Sequence, residues 1–242
     1  MRGRMNWLWL LALPYCLSCS AEALADSSGK APLKISGEMK DVAPKAPEPA
    51  KPADLEKAYE AGTKAYKQGD AAGAMSLLKP AADAGHAPSQ AMLGFILDKS
   101  LFYDDAVAYY RKAVEQSNPD GLYGLGVMYS EGSGVKQDFG EARRLIIKAA
   151  EQGHKEAVNV MAQAYINGGL GLDEAARQSP EALAWIKRSA DNDDLPSIDA
   201  LAAAYLSGQY GLTPDPKKAE VLVAKANKMR GITAKGGKKK SK

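Results

Sequence analysis

From about Asp54 to Gly231 the apolar positions recur with a helical period and in a fixed four-place pattern. A small residue is followed by two large apolar residues three and four places on, and by a second small residue at seven. The copies are Ala74…Leu77-Leu78…Ala81, Ala106…Tyr109-Tyr110…Ala113, Ala142…Leu145-Ile146…Ala149, Ala182…Trp185-Ile186…Ser189 and Ala219…Leu222-Val223…Ala226. Offsets of three, four and seven fall on one stripe of an α-helix. The small residues admit a close neighbour, and the large pair fills the space beside it. A second helical pattern precedes each copy. Tyr66, Leu97, Tyr129, Tyr165 and Tyr205 share one position there, with Gly62, Leu93, Leu125, Met161 and Leu201 four places earlier. The spacings between these first helices are 31, 32, 36 and 40 residues. The pattern predicts five helix pairs, over 54–86, 87–118, 119–154, 155–194 and 195–231. Each hairpin has an apolar face it cannot bury alone, so the pairs must stack.

The punctuation agrees with these elements. Asp138 with Glu141 reads as a capping box. Ser179-Pro180 and Asp215-Pro216 place a capping side chain before a helix-starting proline. Gly85 and Gly153 stand where a helix end requires positive φ. Pro80 falls inside a second helix, where a kink or a cost of roughly 3 kcal/mol is expected. The third to fifth pairs carry long glycine-bearing loops at 131–137, 167–178 and 208–214, and the first two have almost none.

The two ends read differently. Arg2 and Arg4 precede an apolar run, Trp7 to Leu17, too short to span a bilayer comfortably. Ala23-Leu24-Ala25 supplies a cleavage pattern, so 1–25 reads as a secretory signal, cut between Ala25 and Asp26. No transmembrane segment is then expected after its removal, and the destination is periplasmic or secreted. A second reading takes Cys16-Leu17-Ser18-Cys19 as a lipobox with Cys19 acylated. Ser18 fits that pattern, and Cys16 stands where leucine is usual. Residues 26–53 carry five prolines among alanine and lysine without apolar periodicity, as expected of an extended, disordered tether. Residues 232–242 form a basic tail suited to weak contact with an anionic surface. The only cysteines, Cys16 and Cys19, lie inside the signal. A net charge of +3 is too weak to argue for a nucleic-acid partner.

The third pair runs Leu125-Gly126-x-x-Tyr129, then Gly132-x-Gly134-Val135, then a helix ending Lys148-Ala149-Ala150-Glu151-Gln152-Gly153-His154. This hairpin resembles the Sel1-like repeat, a branch of the tetratricopeptide-like α/α solenoids. The fourth pair keeps Tyr165 and Gly168, and the fifth keeps Tyr205 and Gly208. The resemblance implies an all-α, right-handed solenoid. It also implies adaptor work: Sel1-like proteins generally hold other proteins in assemblies. Exported bacterial members include regulators of membrane-kinase sensor domains and factors in envelope or polysaccharide biogenesis. One disulfide-bonded branch is linked to β-lactam binding, but this chain lacks its cysteine pairs.

Candidate chemistry is sparse. Ser76-x-x-Lys79 has the spacing of a penicillin-binding serine motif, yet Ser133-x-x-Lys136 and Ser27-x-x-Lys30 share it, and no Ser-Asp-Asn or Lys-Thr-Gly accompanies them. His86 and His154 occupy equivalent loop positions without the ligand spacing of a zinc site. Residues 191–194 (Asp-Asn-Asp-Asp) lack the glycine and distal glutamate of a calcium loop. No catalytic residue, metal site or cofactor is expected. In solenoids of this kind the first helices line the concave surface. Their stripe beside the buried face runs Lys64 and Lys67, Phe95, Tyr123, Val127 and Ser130, Asn159 and Gln163, and Asp199. This mix of aromatic, amide and charge suits a peptide or protein partner in the bacterial cell envelope. A β-lactam-binding or hydrolysing enzyme and a glycan-binding module are the alternative readings.

Overall fold

The computed structural model describes residues 51–232. The expected signal with its Ala25–Asp26 cut, the lipobox cysteine Cys19, nearly all of the tether and all but the first residue of the basic tail lie outside them. The described chain is eleven α-helices in order, with no strand. The first two pairs are α1 (Pro52–Lys67) with α2 (Ala71–Asp83) and α3 (Ala87–Lys99) with α4 (Tyr103–Glu115). The third is α5 (Pro119–Glu131) with α6 (Phe139–Glu151). The fourth is α7 (Lys155–Asn167) with α9 (Pro180–Asp191), its long loop holding the short α8 (Glu174–Arg177). The fifth is α10 (Leu195–Ser207) with α11 (Pro216–Met229), joined through a 3-10 turn at Gln209–Gly211. This is the right-handed α/α solenoid that the periodicity and the resemblance require.

The small positions set the packing distance. Ala74, Ala106, Ala142, Ala182 and Ala219, with Ala81, Ala113, Ala149, Ser189 and Ala226, are all buried. Each second helix packs against its own first helix and against the first helix of the next pair. First helices also meet one another directly, α1 with α3, α3 with α5 and α7 with α10, so they lie on the inside of the curve. Of the large pair, the second member is buried in the first four copies (Leu78, Tyr110, Ile146, Ile186). Burial of the first member depends on its neighbours: Leu145 is 1% exposed and Leu77 is 44% exposed. In the last copy Val223 is itself 43% exposed, because no sixth pair covers α11 among the described residues.

Capping follows the side chains read from sequence, with one substitution of partner. Asp138, Ser179 and Asp215 accept from the backbone N–H groups of Glu141, Ala182 and Lys218. The Glu141 carboxylate does not reach back to Asp138. It takes the Arg144 guanidinium through two bonds of 2.8 and 2.6 Å, which holds its carboxyl below the usual range. Gly85 and Gly153 have φ of +92° and +88°. The helix α2 runs unbroken through Pro80 to Asp83.

One lateral device repeats. Six places after the first small residue, a cation in the C-terminal half of a second helix reaches toward the C-terminal end of the previous one. Lys148 Nζ lies 3.5 Å from Ser117 Oγ, Arg188 donates to the Ala150 carbonyl, and Lys225 donates to the Ala190 carbonyl at 3.1 Å. A positive charge there satisfies carbonyls the helix leaves free and opposes the negative end of its dipole. Pro80 occupies this place in the first copy, which has no preceding second helix to reach among the described residues.

Candidate functional site

On the inner face, the first helices of four consecutive pairs converge on one pocket of about 430 Å³. Helix α1 contributes Tyr59, and α3 contributes Ala91, Met92, Phe95, Asp98 and Lys99 at helical spacing. Helix α5 supplies Asp120, Tyr123 and Val127, and the start of α7 supplies His154 and Glu156. The floor comes from a second helix. Tyr110 of α4 passes between α3 and α5 to reach the pocket.

Two glycines make that passage. A Cβ on Gly94 would stand 2.9 Å from Tyr110 Cδ1, and one on Gly124 would stand 2.8 Å from the same atom and closer still to Cε1 and Cζ. Glycine inside a helix costs about 1 kcal/mol relative to alanine. Here the missing side chains leave room for an aromatic ring where other copies carry an aliphatic residue. Tyr110 is 4% exposed, and its hydroxyl makes no hydrogen bond to any described residue. Burial, followed by the charges of Asp98, Tyr123 and Asp120, pushes this phenol far above its ordinary value.

The rim is fixed by aromatic and ionic contacts. The Tyr123 ring stacks on His154 with centroids 4.6 Å apart, and Phe95 meets Tyr66 edge-on at 5.6 Å. Nδ1 of His154 accepts from the Ala157 backbone N–H at 3.2 Å, capping α7 and leaving Nε2 to face Asp120 Oδ1 at 3.2 Å. Lys99 pairs with Asp98 at 3.2 Å, and its Nζ lies 5.6 Å from the Phe95 ring centre. Burial first, and then Glu156, raises the Tyr123 phenol. For Tyr59 the order is burial and then Asp120.

The sequence stripe divides in the structure. Phe95, Tyr123 and Val127 come together in this pocket, and Lys64, Lys67, Ser130, Asn159, Gln163 and Asp199 do not line it. Lys64 and Lys67 are exposed on α1. Ser130 Oγ donates to its own helix at the Val127 carbonyl, 2.8 Å away. The last three tie helices together. Asn159 Oδ1 accepts from buried Ser189 at 2.9 Å, Gln163 Nε2 donates to Asp194 at 3.0 Å, and Asp199 pairs with Arg230. Tyr59, Met92, Tyr110, Asp120, His154 and Glu156 were not part of the stripe. For Tyr110 the available signal was an aromatic in an aliphatic column, opposite two helical glycines.

Among the described residues, the Ser76-x-x-Lys79 spacing assembles no dyad. Ser76 Oγ donates to the Ala72 carbonyl at 3.1 Å, and Lys79 pairs with Asp83 at 2.7 Å. Among the described residues, no group of three or more His, Cys, Asp or Glu is placed to hold a metal, and no helix is long and apolar enough to cross a membrane.

The chain is similar over 86 residues to DAP3-binding cell death enhancer 1 of Rattus norvegicus, 37% identical, and of Mus musculus, 36% identical. Each match covers 35% of this chain and spans 17% of the relative. A Sel1 repeat protein from Oxalobacter formigenes superposes with a TM-score of 0.57 at 25% identity, covering 76% of this chain and 72% of that one. The fold is shared with a Sel1 repeat protein from Klebsiella pneumoniae, with a TM-score of 0.50 at 19% identity over 74% of this chain and 88% of the other. Sel1 repeat proteins are protein–protein interaction scaffolds, typically non-catalytic. The Sel1 repeat model itself matches residues 53–86, 87–118, 119–154, 156–194 and 197–229, and with this match over most of its length the chain belongs to the Sel1 repeat family.

Proposed function

We propose that this protein is an exported adaptor of the bacterial cell envelope that holds a segment of a partner protein against the inner face of its solenoid. The observation that carries the reading is the pocket between α1, α3, α5 and α7. It is concave, walled by Tyr59, Phe95, Tyr110 and Tyr123, and edged with charge. A few convergent polar groups in an aromatic cleft are what a bound side chain requires. The rodent relatives are named for binding a protein, DAP3, which agrees with partner binding as the shared work.

Export rests on the sequence alone, through the Arg2/Arg4 segment, the apolar run and the Ala25–Asp26 cut. Cell fractionation with mass spectrometry of the mature N-terminus tests it, and a full-length cytoplasmic product refutes it. The inner-face reading is tested with a photo-crosslinking residue in place of Val127 and, as a control, in place of exposed Lys136. Crosslinks to a discrete protein from Val127 and not from Lys136 are expected. The same products from both positions would refute the groove.

A further inference from the structure

We propose that the pocket between α1, α3, α5 and α7 receives an arginine side chain from a partner's extended segment. The inference rests on the inner-face reading above and adds the chemistry of what is held there. The first ground is Tyr110. Its ring is buried at the pocket floor, and its hydroxyl makes no hydrogen bond to any described residue. A phenol on the floor of a cavity, with its ring held fast and no bond to a described residue, is free to accept from or donate to a group that enters.

The second ground is charge. The pocket is lined by three carboxylates, Asp98, Asp120 and Glu156, and by one lysine, Lys99. That lysine is already paired with Asp98, and the His154 Nε2 is already turned to Asp120. The remaining acceptor capacity is one-sided: carboxylate oxygens and the Tyr110 oxygen. Such a site attracts a cation and repels an acidic or phosphorylated segment.

The third ground is shape. Tyr59, Phe95 and Tyr123 present rings to the same space, and the Lys99 ammonium already lies 5.6 Å from the Phe95 centroid. Aromatic walls with scattered acceptors suit a flat cation with several donors. Guanidinium stacks on rings and offers five N–H groups in a fixed plane, whereas ammonium is a strongly hydrated point charge. Arginine is therefore preferred over lysine.

The test uses the full chain and a positional heptapeptide library with the central residue fixed as arginine, lysine, glutamine or glutamate. Binding is read by fluorescence polarisation. The arginine set is expected to bind best and the glutamate set worst, with the difference shrinking at high salt. Tyr110→Phe keeps the ring and removes the hydroxyl. It should weaken the arginine set roughly tenfold and leave the glutamine set unchanged. Glu156→Gln, on a largely exposed side chain, should weaken the arginine set about threefold without moving the unfolding midpoint. Lys64→Gln, on α1 outside the pocket, is the control and should change nothing. Equal binding of the arginine and glutamine sets, a lysine preference, or no effect of Tyr110→Phe would each overturn the arginine assignment while leaving the groove intact. Failure of every set to bind would count against the groove itself.

Discussion

The passage of Tyr110 between α3 and α5 can be tested by closing it. Gly124→Ala adds one methyl group at a point 2.8 Å from Tyr110 Cδ1 and closer to Cε1 and Cζ. On an isolated helix the substitution would stabilise by about 1 kcal/mol. In this site the methyl group overlaps a ring that is itself buried and cannot simply retreat, since a Cβ on Gly94 would lie 2.9 Å from the same Tyr110 atom on the other helix. Overpacking of this kind costs typically ~1–3 kcal/mol, and contacts this short put it at the upper end. The net expectation is a destabilisation of about 2 kcal/mol. For a solenoid of this size that lowers the unfolding midpoint by roughly 4–8 °C. The decisive measurement is a double-mutant cycle by urea unfolding followed by circular dichroism. Tyr110→Leu removes Cε1 and Cζ, the atoms that crowd the new methyl. In that background Gly124→Ala should be neutral or stabilising, giving a coupling of about 2 kcal/mol. Additive effects, or a stabilising Gly124→Ala in the wild-type chain, would refute the wedge.

Two residues in one motif column should behave differently: Leu145→Ala, at a buried site, costs ~2–5 kcal/mol, and Leu77→Ala, at a half-exposed one, about 1 kcal/mol or less, both read from urea midpoints. Replacing the bridging cation, Arg188→Met, removes its bond to the Ala150 carbonyl and should cost about 1 kcal/mol in the same assay; an unchanged midpoint would count against a role for the lateral bridge. Alkaline pH should unfold the chain cooperatively. Burial, and then the Glu181 carboxylate, push the Tyr165 phenol up to about 12, and burial raises those of Tyr110 and Tyr123. An unfolded tyrosine loses its proton near pH 10, so the unfolded state binds fewer protons above that value. The stabilisation is complete below about pH 10 and is lost as pH rises toward 12. The phenolate absorbance contributed by Tyr110, Tyr123 and Tyr165, read as the difference from their Tyr→Phe variants, should therefore appear together with the loss of helical ellipticity, and its full development with the helices intact would contradict the burial argument.

The helix pairs were legible because a repeat writes the same buried face five times. Ala142, Leu145, Ile146 and Ala149 define a stripe whose meaning does not depend on knowing the neighbour. What depends on the neighbour was not legible. Leu77 and Leu145 share a column, and only the structure separates half-exposed from buried. Glu141 carries the capping-box signature, but Arg144 lies one turn on and takes its carboxylate. The stripe on the first helices failed to stay a single surface for the same reason. Asn159 and Gln163 look like free amides in the sequence. Their partners lie thirty and thirty-one residues away, Ser189 on the second helix of the same pair and Asp194 at the start of the next pair.

That division bears on the proposed binding site. Toward the C-terminal end the polar positions of the inner face are consumed in holding helix to helix: Asn159 to Ser189 and Asp199 to Arg230 within their own pairs, and Gln163 to Asp194 at the start of the next pair. Toward the middle the same face is left with rings, carboxylates and an unpaired phenol. A polar group already bonded within the protein gains little by exchanging its partner for a ligand, since the net value of such an exchange is near zero. A group with no bond to give up, such as the Tyr110 hydroxyl among the described residues, has no such exchange to make. The energetic difference between the two halves of one stripe therefore supports Phe95, Tyr123 and Val127 around Tyr110 as the proposed binding site, and leaves Asn159, Gln163 and Asp199 as the joints that hold that half of the solenoid together.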